Sequence, residues 1–404
     1  MYIRALEKEI GRLIENEQSA LVFGPRQVGK TTLIKKCLSK LDHYTEYLLQ
    51  NPEIRMEFEK DPSLLIRQIE ALKEKPFVFI DEAQKVPDLF DAVQYLIDEK
   101  KANFIITGSS ARKLRRKGTN LLPGRVKSYS LSPLSWNEMG WIKGNYIPQL
   151  KMENVNKKIE YTFEKSLIFG SLPGIVAQAE DQDRESFLKA YAHIYLEEEI
   201  RAEALSRKIG AFSRFLELAA SESGTSPNLT KLSMESGVSV PAVKEFFRLL
   251  EDTLIVERVD PYLKNARKRI LSTPRYYFFD LGVRNALANM PFNNDLINLQ
   301  KGILFEHAVV LEIIRRIKIL GENYKVCFWR TSGGAEVDCV IDCGQQVIPI
   351  EIKASKKVYL PELKGLNNFI EEYHKIAKQG YVITLGDKVE KITDKIIAIP
   401  WNYL

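Results

Sequence analysis
The segment Gly24-Pro-Arg-Gln-Val-Gly-Lys-Thr-Thr32 sets two glycines five positions apart and follows the second at once with a lysine and two hydroxyl residues. Those types at that spacing bind phosphate. The glycines let the backbone of Gly24, Pro25, Arg26, Gln27, Val28 and Gly29 wrap a phosphate chain with its N–H groups turned inward, and the helix that follows adds positive potential at its N-terminus. Lys30 then bridges the terminal phosphates, Thr31 ligates magnesium, and Thr32 completes the first turn. Further along, Asp81 and Glu82 end the apolar run Phe77–Ile80. Asp81 in that position holds the magnesium shell, while Glu82 orients and deprotonates an attacking water. Thr107 and Ser109, in Thr107-Gly-Ser-Ser110, offer hydroxyls that position that water or sense the γ-phosphate, although Ser and Thr equally cap helices. Arg125, in Leu122-Pro-Gly-Arg125, is a candidate arginine finger, acting in cis or, in an oligomer, in trans. ATP and Mg2+ are the implied ligands.

A second constellation lies near the C-terminus. Glu336-Val-Asp-Cys-Val-Ile-Asp-Cys343 and Gln346-Val-Ile-Pro-Ile-Glu-Ile-Lys353 flank Gly344-Gln345, a two-residue loop with glycine first, as a type II′ hairpin prefers. That loop predicts Val337 opposite Ile352, Cys339 opposite Ile350 and Ile341 opposite Ile348 on one face, with Asp338 opposite Glu351 and Glu336 opposite Lys353 on the other. Two carboxylates directly across a sheet repel and ask for a cation, which magnesium supplies. The plainer alternative is a half-exposed hairpin whose Glu336 and Lys353 form a surface ion pair.

The elements around these residues set the fold class. Leu6, Ile10, Leu13 and Ile14 recur at helical spacing and lead into the apolar run Ala20–Phe23 ahead of the glycine loop. Phe77–Ile80 and Asn103–Ile106 are short continuous apolar runs, the pattern of strands buried on both faces, and helical stretches between them give an α/β, mostly parallel sheet. Gly, Pro and Asn accumulate from Trp136 to Tyr146, where this first domain is expected to end. A helical connector follows, including Ser186–Leu196. Leu229–Leu250 then reads as helix, turn at Gly237 and a second helix capped by Ser239 with Pro241 in its first turn, with the strand-like Leu254–Val259 directly after, the order of a winged helix. A helix near Glu306–Arg316, the hairpin, a helix near Pro361–Ile376 and a strand at Gly380–Leu385 make a second α/β domain. The expected division is 1–145, 146–215, 216–274 and 275–404.

Composition narrows the function classes. The chain has 404 residues, 45% of them hydrophobic and 28% charged, as an ordinary multidomain globular protein has. The start lacks an apolar leader segment, and no run approaches the roughly 18 apolar residues of a membrane span, so the expectation is a cytoplasmic protein with no membrane partner. Four cysteines are too few and too scattered for a disulfide framework, and Cys339 and Cys343 lack a neighbouring Cys or His pair for zinc, leaving buried thiols. A net charge of +6 permits a polyanionic partner without demanding one. The dense basic runs are Arg112–Lys117 and Lys264–Arg269, while the second helix of the helix-turn-helix mixes Lys244 and Arg248 with Glu245, Glu251 and Asp252. That mixture fits sequence-independent nucleic-acid contact and a protein-binding winged helix about equally.

The loop Gly-Pro-Arg-Gln-Val-Gly-Lys-Thr, the run Phe79-Ile-Asp-Glu-Ala-Gln84, Thr107–Ser110, Leu122–Arg125, Tyr195–Ile200 and Tyr276–Gly282 together resemble the prokaryotic, archaeal-type AAA ATPases related to the AAA+ and STAND groups, over nearly the whole chain. The resemblance implies a P-loop NTPase sheet, a helical and winged-helix middle, an appended C-terminal domain, and ATP binding with hydrolysis. Glu198 departs from it, standing where a basic residue is expected between two acids. Asp338, with Glu351-Ile-Lys353 on the next strand, resembles the core of the PD-(D/E)xK nucleases, a restriction-endonuclease-like α/β fold. On that likeness Asp338 and Glu351 bind metal, Lys353 polarises the scissile phosphate or activates water, and Glu306 is contributed by an early helix. Two functions follow: an ATP-driven switch acting on nucleic acid, DNA rather than RNA, with a metal-dependent nuclease site; or an ATPase whose C-terminal domain is a non-catalytic module for protein partners or homo-oligomer assembly.

Overall fold
The computed structural model describes residues 2–109, 122–202, 209–263 and 273–404, with backbone alone at 194–202 and 209. The basic runs Arg112–Lys117 and Lys264–Arg269, Ser110, and the side chains of Tyr195–Ile200, with the departure at Glu198, lie outside the described residues. The chain divides into two compact units, Met1–Pro133 with Asp252–Ile255, and Leu134–Glu251 with Val256–Leu404.

The first unit is built on a five-stranded sheet in the order β2-β3-β4-β1-β5, with β1 Ser19–Phe23, β2 Thr45–Leu48, β3 Phe77–Asp81, β4 Asn103–Gly108 and β5 Val126–Ser130. Every pairing is parallel. The inner strands β3 and β4 are buried throughout and the edge strands β2 and β5 are partly exposed. This is why the inner strands read as unbroken apolar runs and the edges, with Glu46, Lys127 and Ser128, gave no strand signal. Phe23 pairs with Gly108 and Ile80 with Ile106, so the carboxyl ends of β1, β3 and β4 finish together along one edge. The helix Glu7–Glu15 buries Ile10, Leu13 and Ile14, as its 3.6-residue spacing requires.

The second unit holds an eight-stranded mixed sheet in the order β12-β13-β11-β10-β9-β8-β6-β7. Its strands are β6 Val256–Pro261, β7 Arg275–Phe278, β8 Lys325–Arg330, β9 Glu336–Asp342, β10 Val347–Lys353, β11 Gly380–Thr384, β12 Glu390–Lys391 and β13 Ile396–Pro400. The helices Leu229–Ser236 and Val240–Asp252 flank Gly237 as expected, and β6 follows and pairs antiparallel with β7. Strand β6 also pairs with β8, so the segment expected as a separate winged helix shares one sheet with the C-terminal segment. The β9–β10 hairpin keeps the expected register as far as its paired residues run, with Ile348 opposite Ile341 and Ile350 opposite Cys339; the expected pairs Val337–Ile352, Asp338–Glu351 and Glu336–Lys353 lie beyond them. Gly344 adopts φ +84, a value its missing Cβ permits and the first position of a type II′ turn needs, and Cys343 N–H donates to Gln346 O across the turn.

Trp136–Tyr146, where the first domain is expected to end, lies just past the division at Pro133 and packs within the second unit. Trp136 and Trp141 are buried and meet Phe163 and Trp401 edge-on, while Phe163 stacks on Trp401 at 4.1 Å between ring centroids. Turn-forming residues in this stretch suggested a boundary, but its two tryptophans are held by aromatic partners far away in sequence. Likewise 153–160 is not helical; helix begins at Phe163. Among the described residues no helix is long and apolar enough to cross a membrane.

Phe163 is the shared partner of four rings. Phe163→Ala is expected to lower the unfolding free energy of the second unit by about 3–5 kcal/mol, the range for truncating a buried phenylalanine. Urea titration followed by tryptophan fluorescence checks this selectively, because Trp136, Trp141, Trp329 and Trp401, all four tryptophans, belong to that unit.

Candidate functional site
The sheet edge of the first unit gathers the phosphate-loop residues with those that end β3 and β4. Gly24 leaves β1 where a Cβ would stand 2.2 Å from Leu131 O, so only glycine fits that close approach. Gly29 adopts φ +91 and Gln27 φ +64, left-handed conformations that turn the backbone around the loop before the helix Lys30–Leu38 begins. Lys30 is buried, and its Nζ donates to Gly24 O at 2.8 Å and Pro25 O at 2.9 Å. Burial lowers the pKa of this ammonium, against the opposing pull of Glu82 and Asp81. Its charge is thus held, poorly hydrated, against the loop carbonyls where the terminal phosphates of a nucleotide are expected.

Thr31 Oγ1 donates to Asp81 Oδ2 at 2.9 Å, and Thr107 Oγ1 donates to Asp81 Oδ1. A hydroxyl and a carboxylate set side by side at the loop are hard oxygen donors of the kind that bind Mg2+, so these residues fit that ion. Glu82 has φ 58 and ψ 45, an uncommon backbone for a residue with a side chain, and its N–H donates to Thr107 Oγ1 at 3.2 Å. Its Oε1 stands 3.8 Å from Lys30 Nζ. Its Oε2 accepts from Ser109 Oγ at 3.0 Å and from Gln84 Nε2, a partner that sequence spacing did not single out. An amide residue two places beyond the acidic pair was the available signal.

Arg125 stands apart. It forms a two-pronged ion pair with Asp98, Nε to Oδ1 at 2.6 Å and Nη2 to Oδ2 at 3.0 Å. It precedes β5, whose Val126 pairs with Ser19 at the start of β1, one full strand length from the loop beyond Phe23, about 17 Å at the usual rise per residue. That placement sets it a strand length away from its own phosphate loop.

The second unit assembles a different cluster. Asp338 on β9 and Glu351 and Lys353 on β10 meet Glu306 of the helix Asn294–Leu320. Asp338 Oδ2 accepts from Ile352 N–H at 2.8 Å, and Lys353 Nζ donates to Glu351 Oε1 at 2.7 Å. Glu351 Oε2 is buried without a hydrogen-bond partner. Two residues of β7 complete the group: Tyr277 hydroxyl donates to Glu306 Oε1 at 2.9 Å, and Arg275 pairs with both Glu306 and Glu336. Glu336 therefore pairs with Arg275 and not with Lys353, which turns to Glu351. Arg275, a charge inside an otherwise aromatic strand, was the sign in the sequence that a buried acidic partner awaited it. Burial, and next the charge of Asp338, raises Glu306 to about 7 and Glu351 to about 8, and burial raises Asp338 as well.

Four carboxylates, Glu306, Glu336, Asp338 and Glu351, thus face three cations, Arg275, Lys353 and, on Glu336, Arg330, and the orphaned Glu351 oxygen adds an unmet acceptor. Asp338 and Glu351 fit a magnesium ion completed by waters and substrate oxygens. Glu306 is engaged by Tyr277 and Arg275, and among the described residues no three His, Cys, Asp or Glu side chains stand close enough to hold a metal. Cys37, Cys327 and Cys339 are buried thiols and Cys343 is half-buried, with no disulfide between any of them.

Because their folded values lie above the ordinary glutamate range, Glu306 and Glu351 carry more protons in the folded state than in the unfolded state between about pH 4.5 and pH 8. Stability of the second unit is therefore expected to fall as pH rises through that window in metal-free buffer. Asp338→Asn removes a like charge and should flatten the slope. Thermal unfolding by tryptophan fluorescence from pH 5 to pH 8 checks both.

Comparison with known proteins places these geometries. Residues 16–140 match the model of an AAA domain, and residues 160–294 and 301–404 match two domains of unknown function. An uncharacterised protein of Mycobacterium tuberculosis is 23% identical over 391 residues, covering 96% of this chain and 81% of the relative. One from Methanocaldococcus jannaschii is 24% identical over 435 residues, covering 98% and 87%. Among solved structures, the Walker-type ATPase of Pyrococcus abyssi aligns with TM-score 0.46 and 14% identity over 71% of this chain and 96% of that one. The family match over residues 16–140, on a sheet edge that carries the phosphate loop, supports an AAA-type P-loop ATPase domain in the N-terminal part of this chain.

Proposed function
We propose that the chain is an ATP-hydrolysing switch that acts on nucleic acid, DNA rather than RNA, and carries a metal-dependent phosphodiester-cleaving site in its second unit. The observation that carries the ATPase part is the convergence at one sheet edge of Lys30, the Thr31–Asp81 hydrogen bond and the Glu82 carboxylate beside Lys30. In this reading the loop from Gly24 to Thr32 holds the phosphates, Lys30 exchanges its loop carbonyls for the β- and γ-phosphate oxygens, and Thr31 and Asp81 hold Mg2+. The ion, when bound, neutralises charge on the phosphates. Glu82 accepts the proton of the attacking water through Oε1, and Thr107 fixes Asp81. Arg125 reaches a neighbouring copy in a homo-oligomer, releasing Asp98 to do so.

Within the second unit the excess of carboxylates over cations supports the cleavage site. Asp338 and Glu351 hold a divalent cation that polarises a phosphate, and Lys353 steadies the phosphate or the water. The helix-turn-helix at Leu229–Asp252 with β6 and β7, taken as a winged helix, supplies backbone contacts to the nucleic acid. A second reading has its own support: Lys353 is spent on Glu351, and no three metal-ligating side chains converge among the described residues. On that reading the second unit is a non-catalytic module for a protein partner or for assembly.

Lys30→Ala and Glu82→Gln are each expected to lower ATP turnover at least about 100-fold, the first with loss of nucleotide affinity and the second without it. Phosphate release and binding of a fluorescent ATP analogue measure this, and unchanged turnover in both variants would remove the site assignment. For the second unit, single- and double-stranded DNA and RNA are incubated with Mg2+ or Mn2+, with and without ATP. Cleavage by the wild type and its loss in both Asp338→Ala and Lys353→Ala is the expected result; intact ATP hydrolysis without cleavage under any condition selects the module reading.

A further inference from the structure
Gln84 sits in the 3-10 turn Ala83–Lys85 directly after Glu82. The left-handed backbone of Glu82 reverses the chain there, so the Gln84 side chain returns to the sheet edge and is buried. Its amide hydrogen-bonds to two residues. Nε2 donates to Glu82 Oε2 and, at 2.9 Å, to Ser109 Oγ, while Oε1 accepts from Ser109 N–H at 3.3 Å. Ser109 Oγ in turn donates a hydrogen bond to the same Glu82 oxygen at 3.0 Å. Room for the amide depends on Gly108, where a Cβ would lie 3.1 Å from Gln84 Oε1.

This network holds one oxygen of Glu82 and leaves the other, Oε1, facing Lys30. Lys30 marks the terminal phosphates, so Oε1 points to the place from which water attacks. We propose that Gln84 is a positioning residue for ATP hydrolysis: with Ser109 as its relay, it fixes the Glu82 carboxylate in the rotamer that presents Oε1 to the attacking water. The proposal rests on Glu82 being the base. Without Gln84 the carboxylate keeps only the Ser109 hydroxyl on Oε2 and is free to swing onto the lysine, closing an ion pair that removes both groups from their tasks. These hydrogen bonds of the Gln84 amide go to Glu82 and Ser109 and not to the phosphate loop, so nucleotide affinity is expected to hold.

The test compares steady-state ATP hydrolysis and the Kd for a non-hydrolysable ATP analogue in full-length wild type, Gln84→Ala, Gly108→Ala, Glu82→Gln and the Glu82→Gln/Gln84→Ala double variant. Gln84→Ala is expected to lower kcat about 10- to 100-fold, within what a positioned base contributes, with Kd within about threefold. Gly108→Ala, which crowds the amide without removing it, changes kcat in the same direction by a smaller factor. In the Glu82→Gln background the Gln84 substitution adds nothing, because the group it positions is already gone. Wild-type kcat in Gln84→Ala, a loss of affinity in proportion to the loss of rate, or full additivity in the double variant would each overturn the role. Wild-type turnover in Glu82→Gln alone removes instead the assignment of Glu82 as base, so the two failures are distinguishable.

Discussion
A parallel sheet delivers the carboxyl end of every strand to the same edge, and the chemistry of the first unit depends on that constraint. Gly24 follows β1, Asp81 closes β3 and Thr107 and Gly108 close β4, and the register Phe23 to Gly108 and Ile80 to Ile106 brings these ends level. Only then do Thr31, Asp81 and Thr107 come within hydrogen-bond reach across separations of 50 and 26 residues. The cost is borne by the backbone: Gln27 and Glu82 adopt left-handed conformations at the turns that leave the sheet, roughly 1–2 kcal/mol each for a residue with a Cβ. Apolar strands buried on both faces supply the surplus that tolerates such strain.

Charge governs the second unit differently. Its sheet carries carboxylates on β9 and β10 inward, toward a helix that brings a third, and β7 answers with one arginine and one tyrosine. The balance is incomplete, and the raised glutamates are the thermodynamic expression of that shortfall. A deeply buried pair elsewhere in the same unit, Glu312 with Arg316, shows the contrasting case: the charges match one to one and Glu312 also accepts from Trp136 N–H, although Arg316 Nη2 is left without a partner. The two arrangements lie on the same helix, Asn294–Leu320, within about two turns of one another. A structural ion pair and a candidate binding cluster are thus told apart by charge stoichiometry, since both are buried and each leaves a polar atom unpartnered.

Much of this was legible in the residues. A glycine loop between an apolar run and a helix, an acidic pair at the end of the next buried strand, and a hairpin whose two-residue turn dictates its register are local or period-two signals, and each has a direct physical cause. The hairpin pairs Ile341 with Ile348 and Cys339 with Ile350, as a two-residue loop requires, and a slip of one residue would turn these buried side chains to the opposite face. Less was legible wherever a residue's partner is remote. Trp136 and Trp141 read as a boundary because their neighbours in sequence are turn formers, whereas Phe163 and Trp401 lie about 20 to 265 positions away.

The sequence by itself determined the phosphate loop, the three inner strands around it and the turn that pairs β9 with β10, since these follow from steric, hydrophobic-pattern and hydrogen-bonding rules that act over a few residues. The tertiary structure decided the rest. It set Gln84 and Ser109 on one oxygen of Glu82, sent Arg125 to the far edge of its sheet, joined β6 to β8, and gave Glu306 to Tyr277 and Arg275 in place of a free position. Burial, desolvation and charge balance are properties of surroundings, and the surroundings of a side chain are chosen by the packing of the whole chain, which spacing along it does not encode.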